Sequence, residues 1–109
     1  MPEDAIVVFM TAASGEEATR LAEMLVGAHL AACVQILPEM ESVYRWEGKI
    51  ERQAEVLLLA KTTQAKFSDL EREVRALHSY ETPEIVAVPI TAGSAPYLEW
   101  LSQAANLRA

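Results

Sequence analysis

Two short segments of the chain concentrate side chains that could bind a ligand. Residues 78–85 carry an imidazole, a phenol and two carboxylates, and residues 42–50 carry a phenol, an indole and charges of both signs. Imidazole together with carboxylate suits zinc, copper or nickel. No pair in these segments has the i, i+4 helical spacing of a preformed metal site. Both segments border apolar runs, so we expect them to share one surface, between subunits.

A single thiol is the second feature with chemical potential. Cys33 is the only cysteine, which excludes an internal disulfide and a four-cysteine zinc site within one chain. It stands in an apolar run, where a free cysteine is commonly a small buried hydrophobe. The alternative is a soft thiolate ligand for copper, which would need Met or His partners or the same cysteine of neighbouring subunits.

Charged groups beside apolar runs also allow two interpretations. Glu55, Lys61 and Glu84 border such runs, and charges beside a core are rarely left unpaired. They could form salt bridges between subunits, or line a polar cleft that binds a small anion or a metal complex. His78 ends a predicted helix, where an imidazole interacts favourably with the helix dipole. It is either a structural hydrogen-bonding residue or a metal ligand.

Hydrophobic periodicity predicts the elements that must position these residues. Apolar runs rich in β-branched residues predict strands, and apolar spacings of three and four predict helices. A Ser-x-x-Glu capping box opens the first helix, and Ser94 caps the last. Pro38 indicates a bulge or an edge within the second strand. The predicted strands are 6–10, 32–37 resuming at Ser42, 55–61 reached through 49–50, and 85–88; the predicted helices are 15–29, 67–77 and one following Ser94.

The order β-α-β-β-α-β plus a C-terminal helix predicts one α+β domain, residues 1–109, of the ferredoxin-like class with a long β2-β3 hairpin. We expect the first and last strands at the centre of an antiparallel sheet and the helices on one face. The other face would carry too many apolar side chains for water. Tyr44 and Trp46 on the hairpin are predicted interface anchors, because aromatic residues dominate such contacts. Self-association in a closed ring would cover this face.

Charge and composition exclude several classes of partner. The net charge is −7, and the basic residues are interspersed with acidic ones. Nucleic acid and anionic membranes are therefore predicted not to bind. No nucleophile elbow or phosphate-binding glycine-rich loop occurs, so we predict that the protein is not an enzyme. The acidic N-terminus does not resemble a signal peptide, and a cytoplasmic location is expected.

Five motifs are spread over nearly the whole chain, namely Leu30-Ala31-Ala32-Cys33-Val34, Ser42 to Ile50, Glu55 to Thr62, His78 to Ile85, and Tyr97-Leu98-x-Trp100. Together they resemble the motifs of the CutA family of divalent-cation tolerance proteins. The resemblance implies a ferredoxin-like protomer, a homotrimer whose hairpins wrap neighbouring subunits, a fold similar to PII signalling proteins and a link to copper tolerance. It also implies an intersubunit cleft lined by Trp46, Glu55, Lys61, Tyr80 and Glu81.

Two functional hypotheses follow from the resemblance and the side chains together. In the first, a cytoplasmic trimer binds Cu²⁺ or another divalent cation, without holding it tightly, through Cys33, His78 and Glu84. In the second, the trimer is a regulatory or adaptor module similar to PII proteins, and its clefts bind a small molecule or a partner protein. The second hypothesis is an analogy of fold alone.

Overall fold

Residues 4–106 are described by the computed structural model, and their elements follow the predicted order. Four strands form a single antiparallel sheet, and the predicted ferredoxin-like α+β class is confirmed. A 3-10 turn, Gln64–Lys66, precedes the second helix. The elements are β1 (Ala5–Ala12), α1 (Gly15–Gly27), β2 (Cys33–Trp46), β3 (Lys49–Thr63), α2 (Phe67–Leu77), β4 (Ile85–Pro89) and α3 (Ala95–Asn106).

The first helix shows how local sequence fixes its ends. The Ser14 hydroxyl oxygen accepts a hydrogen bond from the Glu17 amide at 3.1 Å, as a capping box requires. The helix ends at Gly27 because His29 adopts a left-handed backbone, with φ of 59°. The Leu30 amide then donates to the Leu25 carbonyl oxygen at 2.9 Å, which closes a Schellman-type end. The predicted helix was therefore two residues too long.

The strand order β2-β3-β1-β4 places β1 and β3 at the centre of the sheet. The expectation that the first and last strands are the central pair was wrong. They are neighbours, with Val8 opposite Ala87, but β4 is an edge strand. Strands β1 and β2 run in the same direction but are not neighbours, because β3 lies between them and is antiparallel to both. In the same way, β1 lies between β3 and β4. The main core lies between the sheet and helices α1 and α2 and includes Val8, Met10, Leu21, Leu25, Leu58, Leu70 and Val74.

The C-terminal helix covers one end of the opposite sheet face. Side chains alternate along β1, so Ala5 points away from the core that contains Ile6. Ala5 packs instead with Leu101 and Ala105 of α3 in a second, smaller cluster. The expectation of a face without any helix was thus wrong at this end. The rest of that face stays apolar and includes the half-buried Val7, Phe9, Leu57 and Leu59 and the exposed Leu37, Val86 and Val88.

Strands β2 and β3 form a long two-stranded arm. Their pairing runs to Trp46 opposite Lys49, with a register shift between Leu37 and Met40 that confirms the predicted bulge at Pro38. Glu47 and Gly48 at the tip both have positive φ, as a tight two-residue hairpin turn requires. The arm gives the molecule a long dimension of 46 Å. Exposed apolar side chains lie along it, namely Val43, Tyr44, Trp46 and Ile50.

Candidate functional site

A cleft of about 610 Å³ lies where the arm, the end of β1 and the segment after α2 meet. It brings together the two polar segments identified in the sequence, so their predicted shared surface exists within one chain. Four of the five predicted cleft residues lie here. The lining residues are Thr11, Ser42, Val43, Tyr44, Trp46, Gln53, Glu55, Tyr80, Glu81, Thr82 and Glu84.

Tyr80 is the hub of a hydrogen-bond chain across this cleft. Its hydroxyl donates to Glu55 Oε2 at 2.9 Å and accepts from Gln53 Nε2 at 2.7 Å. The Tyr44 hydroxyl donates to Gln53 Oε1 at 2.8 Å. The chain therefore joins the segment after α2 to both strands of the arm. Gln53 links the two phenols, and the sequence analysis did not identify it because nothing in its local sequence distinguishes it.

Burial and the neighbouring carboxylate keep the Tyr80 phenol protonated. Burial, followed by the hydrogen bond to Glu55 and its negative charge, raises the pKa of Tyr80 to about 12. The hydroxyl is thus a neutral donor at physiological pH. Tyr80 can orient Glu55 but cannot serve as a base there.

Glu55 is a buried carboxylate without a countercharge in the described part of the chain. It is 8 % exposed, and no Lys, Arg or His of residues 4–106 lies within ion-pair distance of it. Buried charges are ordinarily paired or coordinate a metal. The neutral Tyr80 phenol donates to one carboxylate oxygen of Glu55 and supplies no positive charge to balance it.

The side chains that line the cleft give it a negative charge, as Glu55 does. Glu55, Glu81 and Glu84 line it, whereas no basic side chain of residues 4–106 does. This arrangement disfavours the small anion considered from the sequence and favours a positively charged ligand.

Lys61 does not belong to this cleft. Its ammonium donates a hydrogen bond to Gln35 Oε1 on the neighbouring strand, and the residue is absent from the cleft lining. In the single chain the cleft lies farther along β3, beside Glu55. Trp46, Glu55, Tyr80 and Glu81 lie together in this cleft. Their predicted grouping with Lys61 in a cleft between subunits stays a prediction.

His78 has the contacts of a structural residue. Its side chain is fully buried, Nε2 lies 2.7 Å from the Thr11 carbonyl oxygen, and Nδ1 accepts from the Tyr80 amide at 2.9 Å. A neutral ring with its proton on Nε2 satisfies both contacts. No ring nitrogen is then left for a metal. The hydrogen bond to its amide fixes the position of Tyr80.

The three predicted metal ligands are not gathered within one chain. Cys33 pairs with Lys61, whereas Thr11, which contacts His78, pairs with Leu57. These positions on β3 lie about 13 Å apart, at roughly 3.3 Å per residue. Across residues 4–106, no three His, Cys, Asp or Glu side chains are close enough to hold a metal ion together. Only Glu84 of the three lines the cleft.

The half-buried thiol lies beside the C-terminal helix instead. Burial, followed by the electrostatic interaction and hydrogen bond with the Cys33 side chain, raises the pKa of the Tyr97 phenol. This environment agrees better with packing between β2 and α3 than with an open copper site.

Glu17 is the important residue that the sequence analysis identified only as a helix cap. It is 3 % exposed. One carboxylate oxygen accepts from the Ala13 amide at 3.0 Å and the Ser79 hydroxyl at 3.1 Å, and the other accepts from the Ser79 amide at 2.6 Å. Glu17 therefore ties the start of α1 to the segment that carries Tyr80. A Ser-x-x-Glu pattern reveals the cap but not a contact 62 residues away.

These bonds keep Glu17 ionised despite its burial. Burial is the largest single effect and opposes ionisation. Hydrogen bonds from the Ala13 amide and from the Ser79 amide and hydroxyl outweigh it and lower the pKa of Glu17 below its ordinary 4.5. A charged Glu17 is thus part of the native structure at neutral pH.

Comparison with known proteins adds a family to this geometry. The CutA1 divalent ion tolerance protein family matches residues 6–104. Divalent-cation tolerance protein CutA of Thermus thermophilus is 48 % identical over 97 residues, which cover 89 % of this chain and 94 % of that protein. Chloroplastic protein CutA of Arabidopsis thaliana is 49 % identical over 96 residues, 88 % of this chain but 53 % of that protein. The chain thus spans about half the length of its chloroplastic relatives.

Solved structures agree with the fold. CutA1 of Oryza sativa superposes with a TM-score of 0.94 at 42 % identity, covering 98 % of both chains. A structure from Archaeoglobus fulgidus, described as a periplasmic divalent cation tolerance protein CutA, gives 0.90 at 41 % identity over 94 % of this chain and 99 % of that one. Within residues 4–106, no helix is long and apolar enough to cross a membrane. Matched along nearly all its length by sequence and by structure, the chain belongs to the CutA1 divalent ion tolerance family.

Proposed function

We propose that the protein is a homotrimer that contributes to divalent-cation tolerance by binding divalent cations weakly in the cleft. The observation that carries this proposal is the negative charge of the cleft. Three carboxylates line it, one of them buried, and within the described part of the chain no basic side chain lines it. The relatives are named for tolerance of divalent cations and not for a reaction. The cytoplasmic location expected from the sequence stays a prediction.

The proposed trimer has its support in the apolar surface that one chain leaves uncovered. Val86 is 52 % exposed and Val88 is 44 % exposed on the sheet face opposite α1 and α2. Contiguous apolar patches of this kind mark interaction surfaces. Docking onto two further copies would cover the sheet face in every subunit equally.

Weak binding follows from the geometry of the carboxylates. They share a cleft but do not converge into a group of three around one point. An ion bound there would keep much of its water. Copper(II) is the best ion for a test, because it stands at the top of the affinity order of divalent first-row metals for any given set of ligands.

Removal of the cleft carboxylates is expected to abolish saturable copper binding. The variant Glu55→Gln/Glu81→Gln/Glu84→Gln keeps the shape of each side chain and removes its charge. Isothermal titration of Cu²⁺ into the wild type and this variant measures the effect. The matched control is Glu16→Gln/Glu23→Gln/Glu39→Gln, which removes three exposed carboxylates outside the cleft and leaves the same net charge.

Two outcomes of this titration would contradict the cleft assignment. Equal losses in the test and control variants would mean that net charge alone attracts copper. Loss of binding in a Cys33→Ala variant with the cleft intact would place the metal at the thiol, as the first sequence hypothesis holds.

The regulatory hypothesis has one observation in its favour, which is the size of the cleft. A volume of about 610 Å³ lies within the range of small-molecule sites. We therefore retain, as a second proposal, a regulatory module that binds a small molecule in the same cleft. The charge of the lining already restricts that molecule to a cation.

A further inference from the structure

We infer that the cleft binds a linear polyamine, an aliphatic chain that carries two or more ammonium groups. The inference rests on the proposed location of the ligand site in the cleft and goes beyond it by naming the class of ligand. It requires no metal. Three properties of the cleft lead to it: its size, its buried carboxylate and its aromatic walls.

The size of the cleft exceeds what a single ion uses. A volume of about 610 Å³ holds about twenty water molecules at ~30 Å³ each. A divalent ion with one shell of water fills a minor part of that space. An elongated organic molecule fills the cleft and displaces most of its water.

The buried carboxylate supplies the anchor. Glu55 receives one hydrogen bond, from the neutral Tyr80 phenol, and no cation of residues 4–106 balances its charge. An ammonium group donates up to three hydrogen bonds and carries the missing charge. The exposed Glu81 and Glu84 lie in the same lining and can receive a second ammonium group farther along the molecule.

The aromatic walls suit the carbon chain between the ammonium groups. Tyr44, Trp46 and Tyr80 line the cleft. Their faces attract cations through the ring quadrupole, and they also cover methylene groups that water solvates poorly. A hydrated metal ion gains little from such walls. Aromatic faces and carboxylates, with no Lys, Arg or His of residues 4–106 in the lining, favour an organic cation.

Spermidine is the probe for the test, titrated calorimetrically into the assembled wild-type protein with EDTA present. We expect saturable binding. Glu55→Gln is expected to weaken it about tenfold or more, since a charge-assisted hydrogen bond is lost. Glu84→Gln provides a second, exposed variant in case Glu55→Gln disturbs the assembly. Glu23→Gln, outside the cleft, is expected to leave the affinity unchanged.

Two further probes separate shape from charge. The neutral 1,8-octanediol is expected not to bind, and Mg²⁺ is expected not to displace spermidine at similar concentration. Absence of saturable spermidine binding would overturn the inference, as would equal weakening by Glu55→Gln and Glu23→Gln. Copper binding in the cleft without spermidine binding would overturn this inference alone. Spermidine binding without copper binding would uphold it and overturn the metal proposal.

Discussion

Replacing Leu59 by Glu is expected to convert the proposed homotrimer into folded monomers. Leu59 lies on the central strand β3, half-buried, on the apolar face opposite α1 and α2. In a single chain a carboxylate there can reach water. In the trimer it would be buried without a partner, at a cost of about 3–5 kcal/mol per subunit. Sedimentation equilibrium is expected to give 12.0 kDa for the variant and three times that mass for the wild type.

A matched variant tests whether the position matters or only the added charge. Val26 is an apolar residue of α1 with 43 % exposure, away from this sheet face. Val26→Glu is expected to remain trimeric. Far-ultraviolet circular dichroism checks that the Leu59→Glu monomer is folded. A folded Leu59→Glu trimer would show that the sheet face is not the interface, and a monomeric wild type would remove the trimer altogether.

Glu17→Gln is expected to lower the free energy of unfolding by about 2–4 kcal/mol at pH 7, because the amide nitrogen cannot accept one of the hydrogen bonds from Ala13 or Ser79. The loss should depend on pH. The pKa of Glu17 is lowered in the native state, so its ionisation stabilises the fold above the ordinary pKa of 4.5 and ceases to do so as the pH falls through the native value. The difference between wild type and variant is therefore expected to shrink below pH 4.5.

Urea unfolding of both proteins between pH 3 and pH 7 measures this difference. Glu16→Gln is the control, because Glu16 is the adjacent residue, exposed in the same first turn of α1. It is expected to change the stability by less than about 0.5 kcal/mol. A constant difference between wild type and Glu17→Gln across the pH range would contradict an ionised Glu17.

The local features of the fold could be predicted because their causes are local. A capping hydroxyl at Ser14, a proline within β2 and the alternation of apolar residues each act over a few positions. The strand order was missed at β4, because the position of an edge strand depends on the whole set of crossovers. The place of α3 was missed for a similar reason. Its apolar stripe predicts burial but does not state which face of the sheet receives it.

The sequence predicted part of the cleft, because aromatic and acidic residues beside apolar strands are typical of a binding surface. Aromatic and acidic residues near the hairpin and after α2 did meet in one cleft. Lys61 lies outside the cleft of the single chain, and the sequence alone does not reveal which neighbour a charge beside a strand faces. Glu17 and Gln53 act through partners that are far away in the sequence, and a single sequence does not show such pairings.

Strands β2 and β4 are the two edges of the sheet, and each has backbone groups without a partner strand on its outer side. Both carry a proline: Pro38 interrupts β2 at its bulge, and Pro89 closes β4. Proline has no amide hydrogen to donate, so each outer strand is a poor template for a further strand from another molecule. Each proline therefore removes one backbone donor from an outer strand and disfavours the addition of a further strand there, while face-to-face contact with copies of the same chain stays possible.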